Sequence, residues 1–212
     1  MMTTILHDYW RSSAAYRVRI ALGLIGERWE AIPVDLTKGE QRSAAHLARN
    51  PQGLVPVLEI DGLSLTQSLA IVEYLDETRA AGFLPQDAAG RARVRALAHA
   101  IAMEIHPVCN LRVARHAIEA SSGAITMEAW MRAFIAPGLA AFEAMLDHPA
   151  TGRFCHGDTP GLADICLAPQ LYNADRWGVS LEAMPRIRAI CAALDALPAV
   201  AAAHPDRHAP AS

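Results

Sequence analysis

The sequence predicts a mixed α/β domain followed by an all-helical domain. Strand and helix signals alternate over roughly the first eighty residues. After the break Gly82-Phe83-Leu84-Pro85 no convincing strand pattern remains, whereas apolar residues recur at helical spacing. These observations place the first domain at residues 1–81 and the helical domain at residues 88–212.

Local patterns justify the elements of the first domain. Pro33 favours an edge position for the strand that contains it, since proline donates no ladder hydrogen bond. Asp61-Gly62 between two alternating runs predicts a hairpin with a primed turn. The predicted elements are a strand at 4–9, a helix at 13–25 closed by Gly26, an edge strand at 29–36, hairpin strands at 57–60 and 63–65, and a helix at 67–79.

Four helices are predicted for the second domain. Their apolar positions span residues 94–108, 130–145, 165–172 and 187–197. Pro107 and Pro137 fall inside two of these patterns and predict kinks. The segment from Pro205 is polar, so we expect it to be loose.

Composition excludes several classes of protein. Apolar residues make up 52% and charged residues 19% of the 212 residues, which argues against disorder. A net charge of −3 gives no reason to expect a nucleic-acid or membrane partner. The chain start shows no signal peptide, and four cysteines lack paired spacing, so we expect reduced thiols in the cytoplasm. The nine histidines are dispersed and predict no metal site.

The segment RSSAAYRVRIAL at residues 11–22 places two serines where the first strand turns into the first helix. A helix start presents unpaired N–H groups and the positive end of the dipole, which favour an anion. Ser12 or Ser13 can cap this helix, and a serine hydroxyl there can also donate to a bound thiolate. For an isolated pair of serines, capping alone would be the ordinary interpretation.

Later segments complete a pattern that resembles the zeta class of the glutathione transferases over nearly the whole chain. They are NPQGLVPVL at 50–58, LTQSLAI at 65–71, IHP at 105–107, NLRV at 110–113, GDTP at 157–160, LAD at 162–164 and APQ at 168–170. The resemblance implies a thioredoxin-like glutathione-binding domain and a helical substrate-binding domain that form a homodimer. It also implies glutathione-dependent cis–trans isomerisation of a maleyl keto acid, either maleylacetoacetate or maleylpyruvate, in the catabolism of aromatic compounds.

Two other functions stay open at this point. The same thiolate chemistry would serve a general glutathione transferase or a dehalogenase of small α-halo acids. The fold also serves as a non-catalytic interaction module. Retention of Ser12, Val55-Pro56 and Gln67-Ser68 argues against the module.

The resemblance also assigns roles to residues. Ser12, with Ser13 and Arg11 beside it, would stabilise the glutathione thiolate. Val55 would precede a cis bond to Pro56 and offer its backbone to the cysteinyl part of glutathione, while Gln67 and Ser68 would hold the γ-glutamyl carboxylate. His106 and Asn110, four residues apart on one expected helix face, would line the same site or only pack. The arginines expected to bind substrate carboxylates are Arg11, Arg112 and Arg176, while those expected on the solvated surface are Arg17, Arg91, Arg93 and Arg95.

Two positions depart from the zeta pattern. Ala14 stands where family members typically carry a cysteine, which removes one polar group near the thiolate. Gly161 stands where a threonine caps a helix, so only Asp164 remains of the expected capping box.

Overall fold

The computed structural model describes residues 3–210 and contains two compact units. The first extends to Phe83 and also includes the segment from Leu197 onward, while the second is Leu84–Ala196. We expect that last segment to lie in the helical domain, residues 88–212, but it groups with the first unit instead. Val200 and Ala203 are buried, and the segment packs on the first helix of the first unit.

The first unit is built on a four-stranded mixed sheet. Its strands are β1 (Thr4–Asp8), β2 (Trp29–Pro33), β3 (Val57–Ile60) and β4 (Leu63–Thr66), and its α-helices are α1 (Ser13–Leu24), α2 (Ala44–Arg49), α3 (Ser68–Arg79) and α10 (Pro198–Ala203). The strand order is β2-β1-β3-β4, with β1 parallel to β2 and the other pairs antiparallel. The mixed α/β prediction is confirmed, although α2 was not predicted.

Two local predictions for the sheet are also confirmed. Asp61 and Gly62 both have positive φ, 52° and 79°, as a primed hairpin turn requires. The strand β2 lies at an edge of the sheet, and it ends at Pro33 instead of continuing to Leu36.

The helix α1 has no solvent-facing side for its two arginines. Arg17 is 2% exposed and Arg19 is fully buried, so the expectation of a solvated Arg17 is wrong. Arg19 donates to Asp8 Oδ2 at 2.6 Å and to the carbonyls of Trp10 and Ala203 at 3.0 Å each. This guanidinium therefore joins β1, the turn after it and α10.

The second unit is helical, and within its residues the only β contact is an isolated bridge between Thr151 and Gly157. Its α-helices are α4 (Ala88–His99), α5 (His106–Val108), α6 (Leu111–Ala120), α7 (Met127–Met145), α8 (Leu162–Arg176) and α9 (Pro185–Asp195). A π-helical stretch, Ala100–Ile105, connects α4 to α5. The helix α7 continues through Pro137.

The arginines of α4 are not freely solvated, contrary to expectation. Arg91, Arg93 and Arg95 are all partly buried. Arg93 donates to the carbonyl of Cys155 and to Thr151 Oγ1, both at 2.7 Å, and burial lowers the pKa of its guanidinium. It therefore holds the loop before α8 to α4.

Residues 205–208 fold against α10, so the prediction of a loose tail is wrong there, and residues 211–212 of that prediction lie outside the described residues. Pro205 is buried at the start of a short 3₁₀ helix, Pro205–Arg207. His208 Nε2 lies 3.0 Å from the carbonyl oxygen of Ala202, which anchors the next residue to α10.

The start of α8 has half of a capping box, as predicted. Asp164 Oδ2 accepts the N–H of Gly161 at 2.9 Å, and Oδ1 accepts that of Cys155 at 2.9 Å. Gly161 lacks a side-chain oxygen that would accept the N–H of Asp164 in return. Burial raises the pKa of the Asp164 carboxyl, while the two N–H donors oppose that effect.

Replacing Gly161 by threonine should stabilise the protein by a few tenths of a kcal/mol, because the hydroxyl supplies the missing acceptor. The φ of −124° at this position suits a β-branched residue. Thermal unfolding should give a higher Tm for Gly161→Thr than for its isosteric control Gly161→Val. Equal or lower stability of the threonine variant would contradict a capping role.

Candidate active site

Three of the predicted motifs meet at one end of the sheet. His7 at the end of β1 pairs with Val57 at the start of β3, and Val57 pairs with Thr66 at the end of β4. The strand β3 runs antiparallel to both of its neighbours. The segments that follow β1, precede β3 and follow β4 therefore lie at the same end of the sheet. These segments carry Ser12, then Val55-Pro56, then Gln67-Ser68.

Ser12 caps α1. Its backbone is extended, with φ −69° and ψ 117°, and its Oγ accepts the N–H of Ala15 at 3.2 Å. Ser12 is partly exposed, whereas Ser13, the first residue of α1, is buried. Since the Ala15 N–H occupies an acceptor position of Ser12 Oγ, the hydroxyl hydrogen remains available to donate to an anion at the helix start.

Arg11 is held by the two aromatic residues before it. Its Nη2 donates to the Tyr9 hydroxyl at 3.2 Å, and its guanidinium carbon lies 4.5 Å from the centre of the Trp10 ring. Arg11 lines a cavity of about 710 Å³ within the first unit, where Lys38 is also part of the wall. The wall also contains Asp8, Asp35 and Glu40, so Arg11 and Lys38 are balanced by acidic side chains and the cavity as a whole does not select an anion.

The Val55–Pro56 peptide bond is cis, as predicted. The loop before it is fixed by two side chains, because His46 Nε2 and Asn50 Nδ2 each lie 2.9 Å from the carbonyl oxygen of Leu54. Within residues 3–210, neither the N–H nor the C=O of Val55 has a hydrogen-bond partner. This pair of backbone groups can therefore bind an extended peptide in the manner of a β ladder.

The start of α3 provides an anion site. Gln67 adopts the left-handed φ of 68°, unusual for a residue with a side chain, and makes no side-chain cap bond. Within the described chain, the N–H groups of the next three residues, 68–70, find no acceptor. Gln67 Nε2 donates instead to Gln52 Oε1 at 2.7 Å. A carboxylate placed here would receive several N–H donors at the positive end of the helix.

Arg17, which is expected on the solvated surface, instead contacts Ser68 in the interior of the first unit. Arg17 Nη1 donates to Ser68 Oγ at 3.3 Å, and both residues are buried. A signal for this existed in the sequence. Of the four residues one helical turn from Arg17 in α1, only Ser13 is polar, which leaves no polar face to hold a solvated guanidinium.

His106 and Asn110, which are expected on one helix face, lie in two different elements of the second unit. His106 opens α5, which ends at Val108, while Asn110 is the extended N-cap of α6. They therefore do not share one helix face. Asn110 Oδ1 accepts the N–H of Arg112 at 3.1 Å, so its side chain has a structural role.

The two remaining arginines are exposed and lie at helix ends. Arg112 lies in the first turn of α6, where its N–H is capped by Asn110. Arg176 ends α8, and its guanidinium carbon lies 4.8 Å from the centre of the Trp177 ring. Both have charged groups accessible to a carboxylate ligand.

Burial raises the pKa of the thiols of Cys109, Cys155 and Cys191, which disfavours their thiolate forms. All four cysteines are free thiols, and three are buried. Burial raises the pKa of Cys109 to about 11, and burial together with nearby Asp195 raises that of Cys191 to about 11. With alanine at position 14, an activated thiolate in this site has to come from a bound ligand.

Comparison with known proteins is consistent across sequence and structure. Residues 2–77 match the family model of the glutathione S-transferase N-terminal domain, and residues 128–202 match that of the C-terminal domain. Maleylacetoacetate isomerase of Rhizobium meliloti (strain 1021) is 60% identical over 212 residues, which cover 98% of each chain.

Two solved structures share the whole architecture. A holo maleylpyruvate isomerase, described as a bacterial zeta-class glutathione S-transferase, superposes with a TM-score of 0.92 at 41% identity, covering 98% of this chain and 100% of that one. Maleylacetoacetate isomerase of Anaeromyxobacter dehalogenans, with dicarboxyethyl glutathione and citrate in its active site, gives a TM-score of 0.86 at 46% identity and full coverage of both chains.

Proposed function

The chain belongs to the glutathione S-transferase family, and we propose that it is a glutathione-dependent cis–trans isomerase of a maleyl keto acid. One observation carries this proposal. Ser12, the unpaired Val55 backbone and the open start of α3 lie at one end of the sheet and offer complementary groups to a thiol peptide with a terminal carboxylate. The dicarboxyethyl glutathione held by a relative supports a dicarboxylic substrate beside the sulfur.

The residues present fit glutathione as a cofactor. The start of α3, with Ser68 and Gln67, would hold the γ-glutamyl carboxylate, and the Val55 N–H and C=O would pair with the cysteinyl backbone. The sulfur would then lie near Ser12. In this arrangement glutathione would be bound through its cysteinyl backbone and its γ-glutamyl carboxylate, which leaves the thiol for chemistry.

Ser12 and the arginines supply the protein's part of the reaction. Bound glutathione would supply a thiolate that adds to one carbon of the cis double bond and is expelled after rotation about the resulting single bond, so that the trans double bond forms and glutathione is regenerated. Ser12 donates its hydroxyl hydrogen to the sulfur, and the start of α1 lowers the cost of the negative charge. Arg11, Arg112 and Arg176 bind the substrate carboxylates and offset charge that develops on the keto acid.

Purified protein should isomerise maleylacetoacetate, maleylpyruvate or both, and only when glutathione is present. Parallel assays with each compound, followed by loss of the maleyl chromophore, decide between the two substrates. Release of halide from small α-halo acids with no isomerisation would favour a dehalogenase instead. Failure to bind a glutathione column would favour a non-catalytic module.

We further propose that the chain acts as a homodimer in the cytoplasm. Exposed apolar side chains support an interface, among them Leu63 on the edge strand β4 at 47% exposure. Within residues 3–210 no helix is both long enough and apolar enough to cross a bilayer. Light scattering at micromolar concentration should give about twice the chain mass of 22.8 kDa, and a value near the single-chain mass would contradict the dimer.

Replacing Ser12 by alanine should raise the pKa of the bound glutathione thiol by about 1–2, because a hydrogen bond to a charged group contributes roughly 1.5–3 kcal/mol. Turnover at neutral pH should fall accordingly. The thiolate absorbance of the complex, titrated against pH, measures the effect. Ser13→Ala is the matched control and should change the pKa less, so a larger effect at Ser13 would reverse the two roles.

Replacing Arg11 or Arg176 by methionine should lower kcat/KM for the isomerisation by about one to two powers of ten, the loss expected for one charge-assisted contact. Glutathione affinity should barely change, since its γ-glutamyl carboxylate is assigned to Gln67-Ser68. Steady-state kinetics and calorimetric glutathione binding on both variants test this. If Arg176→Met weakens glutathione binding as much as it slows isomerisation, Arg176 serves the cofactor and not the substrate.

A further inference from the structure

A buried guanidinium lies directly behind the serine that opens α3. Arg17, five positions into α1, is 2% exposed, and Ser68 is 6% exposed. Arg17 Nη1 donates to Ser68 Oγ at 3.3 Å across 51 residues of sequence. The contact therefore joins the helix that carries Ser12 to the helix that carries the anion site.

The contact determines what the Ser68 hydroxyl can do. A serine hydroxyl has one hydrogen to donate and two acceptor positions, whereas a guanidinium has donors only. Ser68 Oγ must therefore be the acceptor in this pair. The hydroxyl hydrogen of Ser68 can therefore donate to another group. The unpaired N–H groups of residues 68–70 lie at the same end of α3.

Charge acts in the same direction. The start of a helix carries a positive partial charge. Arg17 adds a full positive charge beneath it, in surroundings from which water is largely excluded. Both effects favour an anion in front of Ser68, and low solvent exposure strengthens them.

We propose that Arg17 is a positioning residue for glutathione: it orients the Ser68 hydroxyl as a donor to the γ-glutamyl α-carboxylate and adds charge to that subsite. The proposal rests on the proposed use of glutathione. It assigns Arg17 to the carboxylate end of the tripeptide and not to the sulfur.

The test compares two ligands on the full chain by titration calorimetry. One is glutathione, and the other is N-(4-aminobutanoyl)-cysteinylglycine, which lacks the γ-glutamyl α-carboxylate. Arg17→Met should weaken glutathione binding by about tenfold or more, as expected for loss of a charge-assisted hydrogen bond, and leave binding of the analogue almost unchanged. Arg17→Lys should recover part of the loss. In a Ser68→Ala background, Arg17→Met should have a smaller effect.

Arg28→Met is the matched control, because Arg28 is an exposed arginine of the same unit and its loss changes the net charge equally. It should leave both affinities unchanged. Equal loss of both ligands in a folded Arg17 variant, or loss of neither, would overturn the proposal. If Arg17→Met does not fold, Arg17→Lys carries the same comparison, and equal weakening of both ligands there would be decisive. Failure of the unmodified chain to bind glutathione would instead refute the proposed function.

Discussion

The arrangement of the first unit depends on one buried guanidinium, that of Arg19. It is fully buried and donates to Asp8 at the end of β1, to the Trp10 carbonyl in the turn, and to the Ala203 carbonyl at the end of α10. A planar guanidinium, with five donors in a fixed arrangement, is suited to hold three such acceptors at once. Removing one partner of a buried ion pair costs about 3–5 kcal/mol, so the pair tolerates little change. Ser12 follows Trp10 by two residues, and its position depends on this clamp.

The site obtains its polarity mainly from backbone and hydroxyl groups. Ser12 and Ser68 stand at the starts of α1 and α3, and each accepts an N–H donor on its Oγ. In both serines the hydroxyl hydrogen remains available to donate to a bound anion. Donors fixed in this way need no rearrangement when a charged ligand arrives, which is the condition for strong electrostatic stabilisation. The left-handed backbone at Gln67 belongs to the same arrangement, since it turns the chain from β4 into α3.

Features set by local chemistry could be predicted from the sequence, and those set by tertiary contacts could not. The Asp61-Gly62 turn and a serine cap on α1 follow from neighbouring residues alone, although the sequence left the cap open between Ser12 and Ser13 and the structure selects Ser12. The cis bond at Pro56 came from family resemblance, because most X–Pro bonds are trans. Arg17 and Arg93 are buried because elements distant in the sequence supply their hydrogen-bond acceptors. The sequence does not show those contacts, so the charge of each side chain led to the prediction of a solvated position. The helix α2 has six residues, too few to show a period.

The return of the chain to its first unit has a consequence for biosynthesis. The acceptor that Arg19 finds at Ala203 is encoded after the entire second unit, so α1 cannot complete its contacts while that unit is still being translated. Synthesis of the second unit, Leu84–Ala196, is complete before the last residues of the first unit are translated. Domains usually fold in order from the N-terminus during synthesis. Here the N-terminal unit is the last to have all of its residues translated, and the buried Arg19 can contact Ala203 only after the second unit has been synthesised.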